Sequence, residues 1–157
     1  MTNPTTITAP EGLPFIEIVR EFDAPVAAVY NSWADPALAT QWLGPDGYGM
    51  RIETYDFVPG GSWRYVNTDP EGNEYGFHGV FHTVKPGELV IQTFEWEGLP
   101  DHVSLESLRF EALPGDRTRT TGWSTFAAVE ARDGMLANGM EQGVVEGYAR
   151  LDTLLTE

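Results

Sequence analysis

The sequence has no cysteine. Disulfides, thiolate nucleophiles and thiolate metal sites are excluded together. The absence fits a reducing compartment, so the expected location is cytoplasmic. Cations are scarce: nine Lys plus Arg stand against 24 Asp plus Glu, a formal net charge of −15. That charge favours solubility and repels nucleic-acid phosphates and anionic headgroups, so neither nucleic acid nor membrane is an expected partner. No apolar run approaches the ~20 residues of a membrane span. Residues 1–14 carry no Lys or Arg. They read as a short flexible N-terminal arm, not a signal peptide. There is no Gly-x-Ser-x-Gly elbow, P-loop or dinucleotide-binding loop. Catalytic residues are therefore not identifiable, and no cofactor is implied.

What remains is a chain rich in apolar residues, 41% hydrophobic and 12% aromatic. That suffices for one domain with its own core over residues 15–157. Phe15 to Phe22 alternates like a strand, with Arg20 on the parity of Ile16, Ile18 and Phe22. Asp23-Ala24-Pro25 reads as a helix start, followed by Val26, Val29, Tyr30 and Trp33 at helical spacing. Asp35-Pro36 begins a second short helix, which carries Trp42 and stops at Gly44-Pro45. Turn signals then separate six runs rich in β-branched and aromatic residues, near 48–58, 62–68, 74–84, 88–97, 103–113 and 117–127. Short loops make an antiparallel meander the natural arrangement.

The segment 132–156 is predicted to be one long amphipathic helix. Leu136, Ala137, Val144, Tyr148, Leu151, Leu154 and Leu155 fall within about 80° of Met140 at 100° per residue. Gly139, Gly143 and Gly147 recur every four residues inside it, each costing roughly 1 kcal/mol relative to Ala. Gly143 and Gly147 fall inside the buried stripe. Two explanations stay open: close packing of the helix on the sheet, or an unfilled volume beneath it.

Asp23-Ala24-Pro25, Val29 to Trp33, and Asp35-Pro36 through Gln41-Trp42-Leu43-Gly44-Pro45 resemble the opening of the START-like or SRPBCC superfamily. Pro59 to Tyr65, Gly79 to Pro86, Glu88-Leu89-Val90, Thr118-Arg119 and the Gly143 to Leu155 helix resemble its branch named after the activator of heat-shock protein 90 ATPase. The resemblance implies an α+β helix-grip fold: a seven-stranded antiparallel sheet curled around a long C-terminal helix, with two short helices between strands 1 and 2. It also implies a cavity that binds hydrophobic ligands in many members. Fold alone does not assign function.

The residues able to line such a cavity are Trp42, Trp63, Tyr65, Phe77, Phe81, Phe94, Trp96, Phe110, Met140, Gly143 and Gly147. Aromatic walls suit flat apolar ligands, though the same rings also fill cores. Arg20, His78 and Glu95 are candidate polar groups. An inward Arg20 needs a carboxylate, for which Glu95 and Glu106 are candidates, unless it reaches solvent along its stem. Arg109 poses the same question. His78 and His82 do not form a metal pair, because four strand residues span roughly 13 Å. Three functions are compatible: a carrier of a small hydrophobic molecule, a polyketide aromatase/cyclase-type or other small-molecule enzyme, and a chaperone-accessory module acting through its surface. The enzyme reading needs a buried acid or base, with His78, Glu95, Arg20 and Tyr65 as candidates. Self-association as a homodimer is compatible with any of the three.

Overall fold

The computed structural model describes residues 3–157. The strands are β1 (Thr5–Thr8), β2 (Phe15–Phe22), β3 (Gly49–Tyr55), β4 (Ser62–Thr68), β5 (Glu74–Lys85), β6 (Leu89–Trp96), β7 (Val103–Leu113) and β8 (Arg117–Thr125). They form one open antiparallel sheet in the order β1-β2-β8-β7-β6-β5-β4-β3. The meander β3 to β8 arises because each connection is a short turn. β2 then closes on β8, with Arg20 opposite Thr120 and Ile18 opposite Gly122.

Among the described residues the sheet has eight strands, not seven. The extra one, Thr5–Thr8, lies within the stretch read as an arm and pairs with β2, Ile7 opposite Ile18. Three of its four residues are Thr and the fourth is Ile. Such β-branched residues suit a pleated edge, but four residues are too few to show a period.

Helices α1 (Val26–Ala34) and α2 (Pro36–Ala39) follow β2, but α2 ends at Ala39, so Trp42 lies in the turn beyond it and not on the helix expected to run to Gly44-Pro45. The cap expected of Asp23 is not there. Pro25 occupies the cap position without a side-chain hydrogen bond, and Asp23 instead pairs with Arg117 at 2.9 Å. Asp35 does cap α2, accepting from the Ala37 amide at 2.9 Å.

The long C-terminal helix is two helices, α3 (Val129–Ala137) and α4 (Met140–Leu155). The break falls at Gly139, whose φ of 78° is the left-handed conformation that glycine adopts cheaply. A single angular count across 132–156 therefore overextends: Leu136 and Ala137 belong to a different helix from Tyr148. α3 is held by Arg132, which is buried and donates to the carbonyls of Pro10 and Phe15. α4 buries Gly147, Tyr148 and Leu151. Among the described residues, no helix is long and apolar enough to cross a membrane.

Candidate functional site between the sheet and the last helix

Strand alternation divides each central strand into two faces. The inner face carries Ile16, Ile18, Arg20 and Phe22 on β2, and Thr118, Thr120, Gly122 and Ser124 on β8. It continues through Ser104, Glu106, Leu108 and Phe110 on β7, then Val90, Gln92 and Phe94 on β6. One end of this face is shut. Tyr148 from α4 packs edge-on against Phe22 at 5.4 Å and lies 5.9 Å from Trp42. Trp33 meets Phe110 at 5.5 Å. Trp42, Trp63, Phe81 and Phe110, all expected to line a cavity, are buried in this cluster. Trp42 also donates from Nε1 to the Ser32 carbonyl at 3.0 Å. Trp63 Nε1 is buried without a partner among the described residues.

The middle of the face is different. One row of register partners crosses the sheet as Ile16, Ser124, Glu106, Gln92 and Phe81. Its ends are closed, Ile16 and Phe81 each being 1% exposed. Ser124, Glu106 and Gln92 between them remain only half-buried. So do Ile18, Gly122 and Leu108 in the adjoining row, and the rings of Tyr65, Phe77 and Phe94. Those three rings form a continuous shelf, with centroids 5.3 Å and 5.4 Å apart. Gly122 adds room: a Cβ there meets nothing nearer than 3.7 Å. This accessible band, bordered on one side by the closed row Arg20, Thr120 and Phe110, is the candidate cleft of the inner face.

Glu106 is the polar centre of this cleft. It accepts from Gln92 Nε2 at 3.2 Å and from Ser124 Oγ at 3.1 Å. Burial pushes its carboxyl above the ordinary carboxylate value, against the opposing effect of those two hydrogen bonds. Burial likewise raises the Tyr65 and Tyr148 phenols, and the Glu106 charge adds to both.

Arg20 is buried, with 1% exposure, but its carboxylate is neither Glu95 nor Glu106. Asp152 on α4 holds it through two contacts, at 3.1 Å and 2.5 Å. The guanidinium also lies 4.8 Å from the Phe22 ring centroid. Arg20 thus ties α4 to β2. Arg109 is on the opposite parity from Glu106 and is exposed.

His78 and Glu95 sit on the outer face, away from the cleft, because the inward parity of β5 belongs to Phe77. His78 is 43% exposed and contacts Glu95 and Glu97 at 3.2 Å and 2.9 Å. Arg64 forms a two-pronged pair with Glu97, both contacts 2.8 Å. Arg64 and then His78 hold the Glu97 carboxyl down at about 2. A shallow depression of about 440 Å³ lies beside this ionic network, lined by Arg51, Arg64, Glu74, Glu97 and Trp96 among others. Trp96 is placed there, opposite Phe77 in register, with its ring over Gly98. Among the described residues, no group of three or more His, Asp or Glu side chains has an arrangement able to hold a metal ion.

Gly143 and Gly147 face the segment after α2. A Cβ on Gly147 would lie 2.9 Å from the Trp42 carbonyl oxygen, and one on Gly143 would lie 3.5 Å from Pro45. Arg150 reinforces the same junction by donating to the Trp42 carbonyl at 2.8 Å. The glycines let this segment approach α4, so their missing side chains leave no space over the sheet. Met140 opens α4 and is half-buried.

Sequence reasoning singled out Glu106 only as a partner for Arg20, and did not name Gln92, Ser124 or Gly122. A signal existed for Glu106. It shares parity with Leu108 and Phe110, so a strand that buries those side chains turns the carboxyl inward too.

The family model described as activator of Hsp90 ATPase homolog 1-like protein matches residues 23–156. No curated protein sequence matches the chain. Among solved structures, protein Ms6760 of Mycobacterium smegmatis is similar at TM-score 0.88 and 26% identity, over 97% of each chain. A Rhodobacter sphaeroides protein is similar at 0.88 and 27%, over 98% of this chain and 99% of that one. An Arthrobacter aurescens protein is similar at 0.88 and 29%, over 96% and 91%. The chain belongs to the activator of Hsp90 ATPase homolog 1-like family.

Proposed function

We propose that the protein binds a small hydrophobic molecule between the central strands and α4, as a carrier or sequestering protein. The observation that carries the reading is the half-buried band Ile18, Gly122, Leu108, Glu106, Phe94 and Tyr65, bordered by the closed row Arg20, Thr120 and Phe110. A packed core leaves few voids larger than a water molecule, so a band of this width is best explained as a binding surface.

Gly122 supplies the test. Gly122→Leu puts a side chain into the cleft without a backbone clash, since the nearest atoms are at 3.7–3.8 Å. The wild-type protein is expected to bind a neutral dye such as Nile red saturably and one-to-one. Gly122→Leu is expected to fold and to lose most of that binding. Equal binding by a folded Gly122→Leu variant would refute the cleft.

Glu106 favours one second reading. A buried carboxyl with a raised pKa in an apolar cleft is suited to general acid–base work. In that reading the protein is a small-molecule enzyme, of the polyketide aromatase/cyclase type or another. Mass spectrometry of a bound compound before and after incubation decides it: an unchanged compound with both wild type and Glu106→Gln leaves the carrier reading alone.

A further inference from the structure

We infer that the ligand is a flat apolar molecule bearing a protonated amine, and that Glu106 is the group that receives the amine. The inference rests on the cleft reading above and adds the chemical class of what fills it.

Three observations converge on that class. The first is a missing counter-ion. Glu106 accepts one hydrogen bond on each oxygen, from Gln92 and from Ser124, and both donors are neutral. Each carboxylate oxygen has room for a second donor. The buried cation of this face, Arg20, is already neutralised by Asp152. Arg109, next along β7, is exposed on the other face. A carboxyl held in an apolar setting without a cation is costly to ionise, and a cationic ligand supplies the missing partner.

The second is the aromatic shelf. Phe94 is the diagonal neighbour of Glu106 across β6 and β7, since Gln92 pairs with Glu106 and Phe94 with Ser104. Such neighbours lie roughly 7–8 Å apart. A bicyclic ring lying on Phe94 and Phe77 therefore brings an amine on a one-carbon arm to Glu106. Rings beside an ammonium add attraction through their faces. The third is charge: a protein of formal charge −15 draws cations and repels anions. A ligand carboxylate meets like charge at Glu106 as well.

The experiment uses the full chain and four probes that share one ring system: 1-naphthylmethylamine, 1-naphthylmethanol, 1-methylnaphthalene and 1-naphthoic acid. Affinities are measured by calorimetry near pH 7, alongside Nile red. The amine is expected to bind roughly tenfold or more tighter than the hydrocarbon, as befits a charge-assisted hydrogen bond. The alcohol should fall between them and the acid last. Glu106→Gln should bring the amine to within about twofold of the alcohol and change the hydrocarbon far less than the amine. The wild-type order decides the matter even if that variant fails to fold. Equal affinities, a preference for the acid, or binding of Nile red with none of the four probes would overturn the amine inference and leave the cleft standing. Failure of Nile red to bind would remove the cleft and the inference together.

Discussion

Three glycines spaced four apart near and within one helix, Gly139, Gly143 and Gly147, should respond to alanine in three different ways. The ordinary expectation for Gly→Ala inside a helix is a gain of about 1 kcal/mol. Gly143→Ala should deliver it, because the new Cβ meets Pro45 at 3.5 Å, an ordinary contact. Gly147→Ala should not. Its Cβ would stand 2.9 Å from the Trp42 carbonyl oxygen, a backbone atom that moves only with its whole segment. That segment is pinned, since Arg150 donates to the same carbonyl and Asp46 donates its amide to Glu146. Overpacking of this kind costs typically 1–3 kcal/mol, which cancels or exceeds the helix gain. Gly139→Ala has open space but a φ of 78°, and a non-glycine residue there costs roughly 1–2 kcal/mol. Gly143→Ala should therefore exceed Gly147→Ala by about 1–3 kcal/mol, or roughly 3–10 °C in Tm for a domain of this size. Urea denaturation followed by tryptophan fluorescence measures all three. A Gly147→Ala variant as stable as Gly143→Ala would refute the close approach of α4 to the 42–45 segment.

Other perturbations test the polar groups. Asp152→Asn leaves the Arg20 charge unpaired beneath α4 and should destabilise by about 3 kcal/mol, the low end for a broken buried pair because Asp152 keeps 27% of its side chain accessible; an unchanged denaturation midpoint would show that the pair does not hold the helix. Glu106 has its folded pKa raised from 4.5, so the unfolded chain ionises first and wild-type stability falls as pH climbs above about 4.5. The Tm advantage of Glu106→Gln should accordingly grow with pH in that window and then level off; a constant difference from pH 4 to 8 would contradict the buried carboxyl. Glu97 has the opposite sign. Its folded value of about 2 lies below the usual 4.5, so its contribution is present above pH 4.5 and is lost as pH falls towards 2. Glu97→Gln should lower Tm at neutral pH and match wild type near pH 2; a deficit that persists at pH 2 would assign the loss to something other than charge.

Much of the architecture was legible because it rests on local patterns. Turn residues such as Pro59-Gly60-Gly61 bound the strands, and the alternation of Phe15 to Phe22 groups Arg20 with Ile16, Ile18 and Phe22, the parity that is found inward. Partners are harder to read than faces. Nothing local ties Arg20 to Asp152, which is 132 residues away on a helix. His78 was misplaced among pocket groups for a related reason: Phe77 and His78 are adjacent, and only the side on which the helices pack decides which of them faces in. The glycine spacing was seen but not its cause, because the atoms it accommodates belong to the 42–45 segment, a hundred residues upstream.

The way α4 is fastened bears on where the cleft can be. Its clamps, Gly147 against Trp42, Tyr148 on Phe22, Arg150 on the Trp42 carbonyl and Asp152 on Arg20, run from Gly147 to Asp152, with Glu146 holding the Asp46 amide one residue earlier. Its first turn follows the break at Gly139 and buries no side chain fully. α4 is thus fastened from Glu146 onward, and before that only Val144 is packed against the core cluster. Replacing Gly139 with a residue that resists the break should therefore alter Nile red binding more than replacing Gly143 does, even where both variants fold; equal dye affinity in Gly139→Ala and Gly143→Ala would separate the cleft from the break.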